Sequence, residues 1–130
     1  MNDVEHQEQV KLFAWAEWER IDRPELGLLF AVPNGGKRDA VTGARLKAEG
    51  VKAGVPDVWL PVARQGYHGL VIELKADEKK RPSKEQERWI TGLMDQGYLA
   101  VVCPGCEAAK GVLLAYLDPP LTPPGGRGTE

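Results

Sequence analysis

GVPDVWLPVARQGYHGLVIELK, residues 54–75, contains two β-prone runs and three ionisable residues that the geometry of a strand pair would gather at one end. Val58-Trp59-Leu60 and Leu70-Val71-Ile72 have the β-branched and aromatic content of strands, and Arg64-Gln65-Gly66 between them carries a turn signal. An antiparallel hairpin is expected. Side chains alternate faces along a strand, so Glu73 and Lys75 point one way while Ile72 and Leu74 point into the apolar interior. Asp57 begins the partner strand, opposite the end of the strand that holds Glu73. Two carboxylates and an ammonium then meet at one end of the hairpin.

Carboxylates that close repel each other unless a cation sits between them. Hard oxygen ligands with few companions suit Mg²⁺, which keeps several waters and takes one or two protein carboxylates. A lysine beside such an ion can orient an attacking water or stabilise charge growing on a phosphate. The chemistry these residue types point to is metal-assisted hydrolysis of a phosphodiester.

A chain of 130 residues, 42% hydrophobic and 28% charged, has the size and composition of one globular domain with its own core. It holds no apolar run of membrane-spanning length, and MNDVEHQEQ lacks the basic-then-apolar order of a signal peptide, so a cytoplasmic location without membrane attachment is expected. A net charge of −2 argues against blanket attraction to nucleic acid, so any DNA contact must come from a local patch. Cys103 and Cys106 are the two cysteines. Without a second Cys or His pair they complete no zinc site, and they read as a strand-end and a turn thiol without chemistry.

From Val4 to about Arg20 a helix is expected, capped by Asn2 or Asp3 and closed before Pro24. Leu28 to Val32 reads as a strand, ended by Pro33 and the glycine loop Asn34-Gly35-Gly36. Lys37 and Arg38 follow. Exposed backbone N–H groups next to positive charge suit a phosphate. Asp39 can cap a helix over residues 40–49, with Gly50 as its stop, and Lys37, Arg38, Arg45, Lys47 and Lys52 outnumber Asp39 and Glu49 across this segment. Ser83 and Gln86 form an S-x-x-Q capping box before a helix with the apolar stripe Trp89, Ile90, Leu93 and Met94, which Gly97 ends. Residues 98–103 form a further strand, and a last helix runs from Cys106 or Glu107 to Leu117. His68, beside a turn, reads as exposed and idle. Residues 118–130, DPPLTPPGGRGTE, have almost nothing to bury and read as a flexible Pro/Gly-rich tail to a domain over 1–117.

Pro56-Asp57 followed by Glu73-Leu74-Lys75 resembles the PD-(D/E)XK signature of the restriction-endonuclease-like nucleases. Pro33-Asn34-Gly35-Gly36, Gly50-Val51, Ala53-Gly54-Val55-Pro56-Asp57, Ile72-Glu73-Leu74-Lys75, Ser83 with Gln86, and Gly97-Tyr98 fall in the order seen in stand-alone VRR-NUC domains. The likeness covers roughly residues 5–110. It implies an α/β fold with a restriction-endonuclease-like core, a central mixed β-sheet flanked by helices in the order α-β-α-β-β-α-β-α. It further implies a Mg²⁺- or Mn²⁺-dependent endodeoxyribonuclease without a small-molecule cofactor, in which Asp57, Glu73 and the main-chain carbonyl of Leu74 bind metal and Lys75 positions or activates water.

In the resembled family a first-helix glutamate followed by a glutamine four residues later reaches the metal site, a pattern Glu5 and Gln9 match. Glu8 is the rival carboxylate, and a carboxylate near a helix N-terminus is also explained by the macrodipole. Gln86 stands where the family places a glutamine beside the catalytic lysine. A cap and an active-site role pull that side chain in different directions, and it is not expected to serve both with ease. Asn34, Gly35, Gly36, Lys37 and Arg38 are the implied DNA-binding loop. Stand-alone relatives resemble Holliday-junction resolvases, so branched DNA and a homodimer are the implied partners, with apolar surface around Trp15 and Trp18 or on the last helix as the place for a dimer contact. Cutting of flap or linear duplex, an idle DNA-binding module and a protein-binding adaptor are the alternatives.

Overall fold

The structure, a computed structural model, describes residues 2–33 and 39–119. Helix α1, Asp3–Glu19, begins at Asn2, whose side chain accepts from the Glu5 amide. A 3-10 turn, Pro24–Leu28, leads into the short strand β1, Phe30–Ala31. Helix α2, Ala40–Ala48, is capped by Asp39. Strands β2, Val58–Leu60, and β3, Leu70–Lys75, form the expected hairpin, and helix α3, Lys84–Asp95, leads to strand β4, Leu99–Pro104. Helix α4, Cys106–Leu117, closes the described chain.

The sheet runs β1-β2-β3-β4. β1, β2 and β3 pair antiparallel, whereas β3 and β4 pair parallel with Leu70 opposite Leu99 and Lys75 opposite Pro104. Parallel neighbours need a crossover connection, and α3 is that connection. On one face Leu70, Ile72 and Leu74 pack with Leu12 and Ala16 of α1 and Ala109, Leu113, Tyr116 and Leu117 of α4. Val71, Glu73 and Lys75 occupy the opposite face, buried though two of them are ionisable. α3 covers that side with Trp89, Ile90 and Leu93 half-buried and Met94 54% exposed, so the site lies under a thin layer.

The run expected as a strand over Leu28–Val32 divides. Pro24 opens the 3-10 turn, which buries Leu26 and leaves Leu28 exposed; only Phe30 and Ala31 then pair as strand, and the Val32 amide continues the ladder to the Asp57 carbonyl at 2.8 Å. The far end of the hairpin is tied to α4. Gln65, at φ 54°, donates through Nε2 to the carbonyls of Ala115 and Tyr116, which would otherwise be orphans at that helix terminus. The Tyr116 hydroxyl donates to the Val62 carbonyl at 2.5 Å and accepts from the Arg64 amide at 3.2 Å. Asp118, where the tail was expected to begin, accepts from Arg23 at 2.6 Å. Among the described residues no helix is long and apolar enough to cross a membrane.

Candidate active site

β3 delivers Glu73 and Lys75 to the face that α3 covers, as their alternation requires. Asp57 reaches the same place from the loop before β2. Its Oδ2 accepts from the Leu74 amide at 2.9 Å, while its own carbonyl accepts from Val32. An acidic side chain is thereby stapled onto β3 between the other two. The N–H and C=O of one strand residue point to the same edge, so the Leu74 carbonyl faces the side on which Asp57 lies. The loop itself is held by the Trp59 indole, which donates to the Pro56 carbonyl at 3.0 Å.

Gln86, in the first turn of α3, joins these groups. Its Oε1 accepts from Lys75 Nζ at 2.9 Å and from the Ser83 amide at 2.8 Å, and its Nε2 donates to Glu73 Oε2 at 2.9 Å. Ser83 Oγ in turn accepts from the Gln86 amide at 3.1 Å, completing the capping box. The expectation that one side chain would not readily serve both the cap and the site is therefore overturned. An amide oxygen has two lone pairs, one for each donor, and the NH₂ is left for the carboxylate.

Gly54, at φ +89°, brings the Asp57 loop against α3. A Cβ there would stand 2.7–2.8 Å from backbone and side-chain atoms of Glu85, so the loop meets the helix more closely than any other residue allows.

Electrostatics make the carboxylate pair unstable as two anions. Glu73 is 2% exposed, and its pKa is pushed up to about 8, first by burial and then by the charge of Asp57, against the pull of Lys75. Asp57 is also raised by burial, which outweighs its bond from the Leu74 amide. The contact between the two carboxyls pulls the Asp57 pKa down and pushes that of Glu73 further up. Lys75 Nζ lies 3.6 Å from Glu73 Oε2. With both carboxyls ionised, Glu73 Oε1 is buried without a donor. A proton or a cation would supply what that oxygen lacks, and the donor set of two carboxylates and one carbonyl fits a hard divalent ion.

Glu5 lies on the first turns of α1, and its charge acts on Asp57. Among the described residues no group of three His, Cys, Asp or Glu side chains is close enough together to hold a metal. Glu8 is engaged elsewhere. Its Oε1 accepts from the Cys106 amide at 2.8 Å, a bond that holds its carboxyl below the usual range with help from Lys11. It caps α4 in place of Gly105, the glycine at the N-cap position, and a Cβ on Gly105 would come within 3.0 Å of that oxygen. No spacing rule could have paired Glu8 with a helix so distant in sequence. Gln9, one turn beyond Glu5, has its Oε1 buried without a partner.

Asn34, Gly35, Gly36, Lys37 and Arg38 lie outside the described residues. Of the neighbouring basic segment, Arg45 and Lys47 sit in the last turn of α2, a helix with no buried residue. His68 packs its ring against Tyr98 before the start of β3, at the opposite end from Lys75. Cys103 and Cys106 are both free and buried, and burial pushes the Cys103 thiol up to about 11, as suits packing thiols without chemistry.

The sequence profile of the VRR-NUC domain matches residues 14–107, a span that takes in Asp57, Glu73, Lys75 and Gln86 and begins after Glu5 and Gln9. The chain belongs to the VRR-NUC domain family. A solved structure described as a VRR_NUC domain protein is 30% identical, superposes with a TM-score of 0.77, and is matched over 90% of each chain. None of the curated proteins matches the chain. This VRR-NUC domain is thus a PD-(D/E)XK-like nuclease domain, with the four-stranded mixed sheet of a restriction-endonuclease-like fold.

Proposed function

We propose that this VRR-NUC domain is a Mg²⁺- or Mn²⁺-dependent endodeoxyribonuclease that hydrolyses phosphodiester bonds in branched DNA. One observation carries the reading: Gln86 joins Lys75 to the buried Glu73, and Asp57, held on the Leu74 amide between them, brings a second carboxyl whose charge pushes the Glu73 pKa up. A structural ion pair would not need the second carboxylate. Asp57, Glu73 and the Leu74 carbonyl would hold the ion, with Glu5 adding negative potential from α1. Such an ion supplies Lewis acidity toward the scissile phosphate and a more acidic bound water. Lys75, aimed by Gln86, would position the attacking water and balance charge growing on the phosphate.

DNA is the substrate class that charge placement favours. Arg45 and Lys47 lie on a helix with no fully buried residue, with Lys52 beyond it, and the sequence adds Lys37 and Arg38 just before that helix. A homodimer would set two such sites across a symmetric junction. Trp18 and Ile21, 78% and 72% exposed at the end of α1, offer apolar surface for it.

The test is cleavage of labelled four-way junction, flap and linear duplex with Mg²⁺ or Mn²⁺, beside Glu73→Gln. Paired symmetric cuts in the junction, absent in the variant, are expected. Cutting confined to flap or linear DNA would keep the nuclease and discard the junction and dimer, and no metal-dependent cutting would leave an idle DNA-binding module.

A further inference from the structure

The orientation of the Gln86 amide decides what Lys75 and Glu73 meet. With Oε1 toward Lys75 and Nε2 toward Glu73, every contact pairs a donor with an acceptor. Turned over, the NH₂ would face the Lys75 ammonium and the oxygen would face the Glu73 carboxylate. Lys75 and Glu73 both favour the observed orientation, yet each hangs from a side chain that can move. The Ser83 amide is main chain. It stands at the start of α3, it lies 2.8 Å from Oε1, and the same turn is locked by Ser83 Oγ on the Gln86 amide. That start is further fixed by the close approach of Gly54 to Glu85.

We propose that the main-chain N–H of Ser83 is a positioning group of the active site: by holding Gln86 Oε1, it sets the place of the Lys75 ammonium and the Glu73 carboxylate. This rests on the nuclease reading above. A capping box accepts either Glu or Gln at its third helical position, because only an acceptor is needed there. Here the residue must also donate to Glu73, which a glutamate beside two other carboxylates cannot do. The helix cap and the catalytic lysine thus share one oxygen atom, and the first turn of α3 is part of the catalytic apparatus.

Two substitutions separate a cap from a positioning group. Ser83→Ala keeps the N–H and loses Oγ, whereas Ser83→Pro removes the N–H at a φ of −69°, which proline adopts without strain. At matched fall in Tm, Ser83→Pro is expected to lose at least tenfold more kcat than Ser83→Ala, with KM for DNA within twofold of the wild type. Equal losses of kcat in the two variants, in step with Tm, would overturn the proposal.

A second measurement needs no proline and no turnover. In Lys75→Met the Gln86 side-chain NH₂ should be as protected from hydrogen exchange by NMR as in the wild type, because Ser83 still holds the oxygen and so keeps the NH₂ on Glu73. Loss of that protection would show that Lys75 orients Gln86, and would overturn the proposal with the nuclease reading untouched. Absence of metal-dependent cleavage by the wild type would instead overturn the nuclease reading and the catalytic consequence drawn from it, while the exchange measurement would still decide what holds Gln86.

Discussion

Glu73 is the residue on which the site turns. Its folded pKa of about 8 stands above the 4.5 of an ordinary glutamate, so the folded metal-free protein binds a proton more tightly than the unfolded chain does. The stabilisation is fully present below the unfolded value and is lost as pH rises through the folded one. Metal-free stability should therefore fall as pH rises from about 5 to about 8. Urea titrations across that range would measure it, and Glu73→Gln should flatten the dependence. A wild-type stability that is level or rises over this window would mean that Glu73 is ionised and compensated by Lys75 alone. At this scale the sequence was most legible: alternation in β3 placed Glu73 and Lys75 on one face without help from the rest of the chain. The state of Glu73 was not, because burial and the distance to Asp57 are properties of the packed protein.

At the scale of elements, the contacts joining segments far apart in sequence were the part that could not be read in advance. Glu8 caps α4 from α1, and Gly54 lets the Asp57 loop touch α3; neither has a local signature beyond its residue type. Glu8→Ala should cost about 1 kcal/mol of stability, the ordinary worth of a helix cap, and leave the cleavage rate unchanged. A loss of cleavage there would return Glu8 to the site and reopen the choice between it and Glu5. Gly54→Ala should do both kinds of harm. The φ of +89° and the clash with Glu85 would lower Tm, and displacement of the Asp57 loop relative to α3 should reduce kcat by roughly 10²-fold, the effect of moving a reacting group by about an ångström. Normal kcat in a folded Gly54→Ala would show that the loop and α3 are not held in register by this contact. The capping box was legible as a cap from S-x-x-Q alone; that its oxygen also faces Lys75 depended on how α3 crosses the sheet.

Across the whole molecule, the helices and the hairpin followed from pattern and the mixed sheet from the family resemblance, and the 3-10 turn at Pro24–Leu28 is the main departure. Its cause is local, since an apolar run beginning just after a proline can bury alternate residues in a turn as well as in a strand. The fold spends its apolar side on α1 and α4 and keeps the opposite face of the sheet for Glu73 and Lys75 under α3, where none of the helix residues is fully buried. That asymmetry allows a charged site to exist at the centre of a small domain, provided that something offsets its two carboxylates.

Whether that something is a divalent ion is the central claim, and thermal unfolding at pH 8 with and without Mg²⁺, for the wild type and Glu73→Gln, tests it most directly. An ion that binds only the folded state raises Tm by mass action. The wild type should gain several degrees at millimolar Mg²⁺ and Glu73→Gln should gain none. Equal gains in both, or none in the wild type, would contradict the assignment of Asp57 and Glu73 as a metal site.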